Sequence, residues 1–139
     1  MKSTENNHSI LLHKHGLKVT PLRLAILDVL GRHHSPLTAE EISTKLKDVD
    51  FDRATLFRSL KTFNETELIR AIDLGEGFMR YEIVCEKHDH HHHVMCTNCK
   101  KIEMIPFCVP PQISNHLLKV GYTNLSHRMD FFGLCSKCS

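Results

Sequence analysis

Two Cys-x-x-Cys pairs, Cys96/Cys99 and Cys135/Cys138, bracket the last stretch of this 139-residue chain. Each pair makes a tight knuckle that presents two thiolates. Two knuckles supply the four sulfurs that a tetrahedral structural zinc ion takes. A redox Cys-x-x-Cys needs a strand–helix setting, but one pair here follows an expected strand and the other closes the sequence. A secreted disulfide framework would come with an export signal, and Met1 to Asn7 is polar. Zinc on Cys96, Cys99, Cys135 and Cys138 is therefore expected. Because the pairs are far apart in sequence, such an ion ties the C-terminal end back onto the start of its own domain.

Hydrophobic residues make up 41% of the chain, enough to bury a core and too many for a disordered segment. The longest apolar runs are far too short to span a bilayer, so no membrane partner and a cytoplasmic location are expected. The net charge of +2 says little about partners, so any case for DNA binding rests on where charges sit. Composition changes near residue 84: helical periodicity and a hairpin come before it, and nearly all the cysteines after it. The expected division is 1–84 and 85–139.

In the first part, a short helix is expected over Ile10 to His15, ended by Gly16. Thr20-Pro21 opens a second, with Thr as N-cap and Pro at the first helical position. Its apolar stripe is Leu22, Ala25, Ile26, Val29 and Leu30, and Gly31 is expected to stop it. Thr38 and Glu41 form a capping box for a third helix. The fourth starts near Asp52 and contains "RATLFRSLKTF", with Leu56, Leu60 and Phe63 on a core face. "LIRAIDLGEGFMRYEIV" then reads as two strands joined by a Gly-rich turn. Helices followed by such a hairpin form a winged helix-turn-helix.

The fourth helix carries Arg53, Phe57, Arg58 and Lys61 opposite its core face. The bland reading is a solvated basic face with Phe57 packed on the wing. Its place as the last helix before the hairpin favours the other reading, entry into the major groove of double-stranded DNA. There Phe57 meets a thymine methyl or sugar, and the cations meet base edges or phosphates. The expected DNA-binding set is Arg53, Thr55, Phe57, Arg58 and Lys61, joined by Lys14 and Lys18 near the entry helices.

The second part expects strands near His91–Met95 and Lys101–Ile105, a helix from Pro111 to Val120 stopped by Gly121, and a closing strand over Thr123–Leu134 holding His127. The fold class is thus α/β (α+β). The run "HDHHHHVMC" falls on the first of these strands. Successive strand side chains face opposite ways, so His91 and His93 share one face and His90 and His92 the other. For the first pair, Glu82 and either His34 or His33 are candidate partners, giving an interdomain metal site. Cys85 is a further candidate ligand. For the second pair the candidates are His127 and Glu103. Cys108 reads as a small buried residue rather than a ligand. The plain alternative, a loose histidine tract with weak metal affinity, sits poorly between patterned strands.

With these residues assembled, the chain resembles the ferric uptake regulator family. "GLKVTPLRLAILDVL", "TAEEI", "ATLFRSLKTF", "RYE", "HHHHVMCTNC" and "CSKC" follow the family's signatures in order, from about Gly16 to Cys138. The resemblance implies a homodimer formed by C-terminal domains, with two winged helices on a pseudo-palindromic operator and bound metal favouring the DNA-binding, repressing state. It implies structural zinc on the four cysteines, a regulatory site on His34 (or His33), Glu82, His91 and His93, and a further site on His90, His92 and His127. Phe57 stands where the family usually has Tyr. About two more residues separate Glu82 from the histidine run than in the family pattern, which sets Glu82 in competition with Cys85. The family's downstream carboxylate ligand falls near Pro110 or Gln112, where this chain has no Glu.

Replacing a carboxylate by the Cys85 thiolate softens the regulatory site, which inclines the expected regulatory ion to Zn(II), with Fe(II) close behind and Mn(II) accommodated. The leading expectation is a metal-dependent repressor and not an enzyme. A peroxide-sensing Fe(II)/Mn(II) regulator of the same family is the main alternative. A zinc enzyme lacks a visible general base or substrate pocket, and a metal buffer has no use for a winged helix.

Overall fold

The computed structural model describes residues 2–84 and 91–139. The chain divides into two compact units, Met1–Lys87 and His88–Ser139.

The first unit contains helices α1 (Lys2–Lys14), α2 (Pro21–Arg32), α3 (Ala39–Lys45) and α4 (Arg53–Glu65), with strands β1 (Leu37–Thr38), β2 (Ile69–Asp73) and β3 (Met79–Ile83). The helix starts are set by local chemistry. The Thr20 hydroxyl accepts from the Arg23 N–H ahead of Pro21. At α3, Thr38 Oγ1 accepts from the Glu41 N–H at 3.0 Å, and Glu41 Oε2 accepts from the Thr38 N–H at 2.9 Å, so both arms of the expected capping box form. Asp52 caps α4, accepting from the Thr55 N–H at 2.7 Å. Gly16 takes φ +70° just past α1, a left-handed conformation that a side chain resists.

Two helix boundaries differ from expectation. α1 begins at Lys2, well before Ile10, because its first turns are polar and carry no apolar stripe to read. α2 continues through Gly31 to Arg32, and His33 is its C-cap.

The apolar stripes of α1–α4 meet in one core. Leu12, Ile26, Leu27, Ile42, Leu56, Leu60 and Phe63 are buried there, with Leu68 and Ile69 from the start of the hairpin. Burying each such side chain contributes about 1.5–3 kcal/mol. The hairpin β2–β3 pairs Arg70 with Glu82 and Ala71 with Tyr81, and β1 adds along β3 to give the sheet order β1-β3-β2. These elements form the winged helix-turn-helix.

The second unit is built on β4 (His92–Cys96), flanked by β5 (Ile102–Ile105), antiparallel, and β6 (Asp130–Gly133), parallel. As the central strand, β4 is covered: His92, His93, Met95 and Cys96 are all buried. Helix α5 (Pro111–Lys119) has Val120 as its C-cap, and Gly121 follows at φ +100°. The closing strand is shorter than expected. Thr123 to Met129 makes no ladder, so His127 lies in an irregular segment ahead of β6. Ile113, Leu118, Val120, Tyr122, Phe131, Phe132 and Leu134 are exposed, which leaves this unit with a large apolar surface.

Candidate metal centres and nucleic-acid interface

The four predicted cysteines converge. One sulfur from each of Cys96, Cys99, Cys135 and Cys138 lies within 4.8 Å of the others. The first knuckle follows β4 and the second follows β6, and these strands pair Cys96 with Gly133. The ladder therefore brings together cysteines that are distant in sequence. Cys99 Sγ is 3.8 Å from Cys135 Sγ, and the Cys135 N–H donates to Cys96 Sγ at 3.4 Å. Sulfurs held about 2.3 Å from one tetrahedral ion are about 3.8 Å apart, so the set fits zinc. The backbone N–H groups of Cys135 and then Cys99 hold the Cys96 thiol down to about 6. Cys138 receives a lowering bond from the Asn98 side chain, yet its neighbours Cys135, Cys99 and Cys96 push it up to about 11. The cluster thus offers one ready thiolate beside a thiol that gives up its proton when metal binds.

A second convergence differs from the expected one. His92 Nε2 is 3.1 Å from His127 Nε2, and the two rings stack with centroids 5.0 Å apart. Cys108 Sγ is 3.2 Å from His127 Nε2 and 3.4 Å from His92 Nε2. Cys108 was expected to be a buried packing residue; it is exposed and completes this group. The Pro- and Phe-flanked loop before α5 carries it back over β4, a return that no local spacing announces. Glu103 does not belong to the group: it lies opposite Val94, and its Oε1 bonds Lys101 Nζ at 2.6 Å. His90 and Cys85 lie outside the described residues.

The candidate regulatory residues are divided between the units. In the first, Glu82 sits on β3 opposite Arg70, its carboxylate 13% exposed and 3.9 Å from the guanidinium. His34 is exposed. His33 places Nδ1 2.7 Å from the Val29 carbonyl. A carbonyl only accepts, so this bond assigns the proton to Nδ1 and leaves the Nε2 lone pair for a metal. In the second unit, His93 is buried on β4 and His91 immediately precedes the strand, half-buried.

On α4 the core face is as expected, with Leu56, Leu60 and Phe63 buried. Phe57 is 39% exposed, and the Arg53 guanidinium lies 5.2 Å above its ring while also bonding Glu40 at 2.7 Å. Arg58 Nη2 donates to Thr55 Oγ1 at 3.1 Å, and Thr55 Oγ1 in turn donates to Asp52 at 2.9 Å. A capping carboxylate thereby orients the arginine. Lys61 Nζ lies 3.9 Å from Glu65, an exposed pair that water and salt weaken. Lys14 closes α1, and Lys18 follows in the link to α2, where its carbonyl accepts from Arg23.

One structural feature had no sequence signal. Arg80 on β3 is 7% exposed and grips Glu76 with two bonds, at 2.7 and 2.9 Å. It also reaches Glu41 at 3.3 Å and the Pro36 carbonyl at 3.4 Å. The Glu76 bonds raise its already high basicity further. This cation pins the wing to the α3 capping box.

Comparison with known proteins agrees with this architecture. The model of the ferric uptake regulator family matches residues 14–132. The peroxide operon regulator of Bacillus subtilis (strain 168) is 30% identical over 135 residues, covering 92% of this chain and 88% of that protein. The ferric uptake regulation protein of Staphylococcus epidermidis is 36% identical over 132 residues, covering 92% and 91%. The Helicobacter pylori ferric uptake regulator, described as having three functional metal-binding sites, superposes with a TM-score of 0.73 at 28% identity, covering 99% of this chain and 92% of that one. The family match spans most of the chain, and the protein belongs to the ferric uptake regulator family of metal-responsive transcription regulators.

Proposed function

We propose that this chain is a metal-dependent DNA-binding repressor of metal-uptake genes, acting in the cytoplasm as a homodimer on a palindromic operator. The observation that carries the reading is the exposed arc of α4, Phe57 flanked by Arg53 and Arg58, on the helix directly before the hairpin. Residues 1–84 serve as the DNA-binding domain and 85–139 as the metal-binding dimerisation domain. The exposed apolar residues of α5 and β6 support self-association of the second unit. Lys14 and Lys18 add phosphate contacts to those of α4.

Structural zinc is assigned to Cys96, Cys99, Cys135 and Cys138. The regulatory ion is assigned to Glu82, His91, His93 and His34, with His33 the alternative to His34 and Cys85 a further donor. It favours the conformation in which both winged helices match the operator spacing. Zn(II) is preferred slightly over Fe(II), and Mn(II) is accommodated. No helix among the described residues is long and apolar enough to cross a membrane. The test is operator binding by His91→Ala/His93→Ala protein. Metal-stimulated binding should vanish while the cysteine-bound zinc remains. Metal-stimulated binding that survives the double substitution contradicts the assignment.

A second reading draws on the 30% identity to the Bacillus subtilis peroxide operon regulator. In it, Fe(II) at the same nitrogen/oxygen site makes the histidine ligands targets of peroxide. Mass spectrometry after peroxide treatment of the Fe(II)-loaded protein decides it: a gain of one oxygen on His34, His91 or His93 supports the sensor, and unmodified histidines exclude it.

A further inference from the structure

We infer that Cys108 joins His92 and His127 as the thiolate ligand of a metal site in the second unit, separate from the four-cysteine cluster and from the proposed regulatory ligands. Of the expected set His90, His92, His127 and Glu103, it keeps His92 and His127 and puts Cys108 in place of Glu103, while His90 lies outside the described residues. It does not rest on the DNA-binding reading, since its test reads metal binding at these residues and not operator affinity.

The geometry carries the argument. The three donor atoms form a triangle with edges of 3.1, 3.2 and 3.4 Å. Two nitrogens about 2.0–2.1 Å and one sulfur about 2.3 Å from a tetrahedral ion are separated by about 3.3 Å (N···N) and about 3.6 Å (N···S). The observed edges are within a few tenths of an ångström of one face of that tetrahedron. An ion therefore seats on this face without moving the backbone. His92 is anchored on the central strand and 3% exposed, so one ligand is fixed. Cys108 and His127 come from separate irregular segments and both are exposed, which gives an ion a route in. Hydrogen bonding alone explains the group less well. A carbonyl-like acceptor would satisfy an imidazole N–H equally well, whereas two ring nitrogens and a sulfur within contact of one another present three lone-pair donors to one point.

The donor set also selects the metal class. A carboxylate in the third position would leave a hard site suited to Mn(II) or Fe(II). A thiolate shifts preference to Zn(II) and to its spectroscopic substitute Co(II). The thiol proton leaves on binding, so the ion takes Cys108 as a thiolate with two neutral imidazoles.

The chain has six cysteines. In full-length Cys85→Ser protein that retains zinc on its four-cysteine cluster, Cys108 is the sole remaining thiol. Co(II) titration of that protein should give a near-ultraviolet thiolate-to-cobalt charge-transfer band. Adding Cys108→Ser should abolish the band, and adding His127→Ala instead should weaken Co(II) binding at this site by roughly tenfold or more. Mn(II) in excess should not displace the cobalt. No charge-transfer band in Cys85→Ser protein overturns the proposal. So does a band that persists in Cys85→Ser/Cys108→Ser protein whose zinc content is unchanged.

Discussion

Replacing Arg80 by Met removes the cation that fixes the wing, and its cost follows from the surroundings. The side chains of Arg80 and Glu76 are 8% and 7% exposed, and two parallel bonds of 2.7 and 2.9 Å join them. Methionine keeps most of the aliphatic stem and its packing, so the hydrophobic loss is small. What remains is the Glu76 carboxylate, buried and stripped of its guanidinium. Removing one partner of a buried ion pair costs about 3–5 kcal/mol. Glu41 is 45% exposed and keeps its own bond to the Thr38 N–H, so it adds little to the penalty. Urea unfolding of zinc-loaded protein, followed by far-ultraviolet circular dichroism, should show the loss at an unchanged m-value. The double variant Arg80→Met/Glu76→Gln should recover about 1–3 kcal/mol relative to the sum of the single changes, because the carboxylate charge is gone. A cost below about 1 kcal/mol for Arg80→Met, or strict additivity in the cycle, would refute the claim that this pair is a buried, coupled anchor.

Three further outcomes are expected. Cys99→Ser should lose the structural zinc, drop the melting temperature sharply and impair dimerisation, since structural zinc contributes on the order of 10 kcal/mol to small modules; analytical ultracentrifugation with metal analysis checks this, and retained zinc in a stable dimer rejects it. Arg58→Ala should weaken operator binding with either relaxed specificity or a flatter salt slope, and Phe57→Ala should cost mainly sequence preference; unchanged isotherms for both, with dimer and metal content intact, would place the DNA surface elsewhere. At the proposed regulatory site, Glu82→Ala should abolish activation by metal if the carboxylate is the ligand. A charge-transfer band in Cys108→Ser protein loaded with Co(II), lost on adding Cys85→Ser, would instead assign the thiolate.

What could be read from the sequence was what local chemistry encodes. Thr20-Pro21 and the Thr38/Glu41 box each act within one helical turn, both caps form as expected, and α4 starts beside Asp52 as expected. The cysteine pairs were legible because a Cys-x-x-Cys knuckle needs no outside information, and the parallel β4–β6 pairing brings the two together. Contacts that depend on the tertiary path were not legible. Arg80 reaches Glu41 and Pro36 across 39 and 44 residues, and nothing near "RYE" marks the arginine as buried. Cys108 looked inert because its partners, His92 and His127, lie 16 and 19 residues away with no shared spacing. The early start of α1 was missed for a related reason: a helix that buries only Leu12 has almost no apolar period to detect.

The central claim is that metal and operator bind as coupled ligands of one dimer. The direct measurement is the affinity for a pseudo-palindrome from the protein's own promoter, by fluorescence anisotropy at fixed salt. It is made with the four-cysteine zinc retained and the regulatory site empty or filled with Zn(II), Fe(II) or Mn(II). Coupling free energies of about 1–3 kcal/mol correspond to roughly 5–150-fold, and linkage requires the operator to tighten metal binding by the same factor. We expect Zn(II) to tighten operator binding within that range, with the reciprocal gain in zinc affinity on adding DNA. Equal operator affinity with the regulatory site empty and filled, for all three metals, would contradict the account.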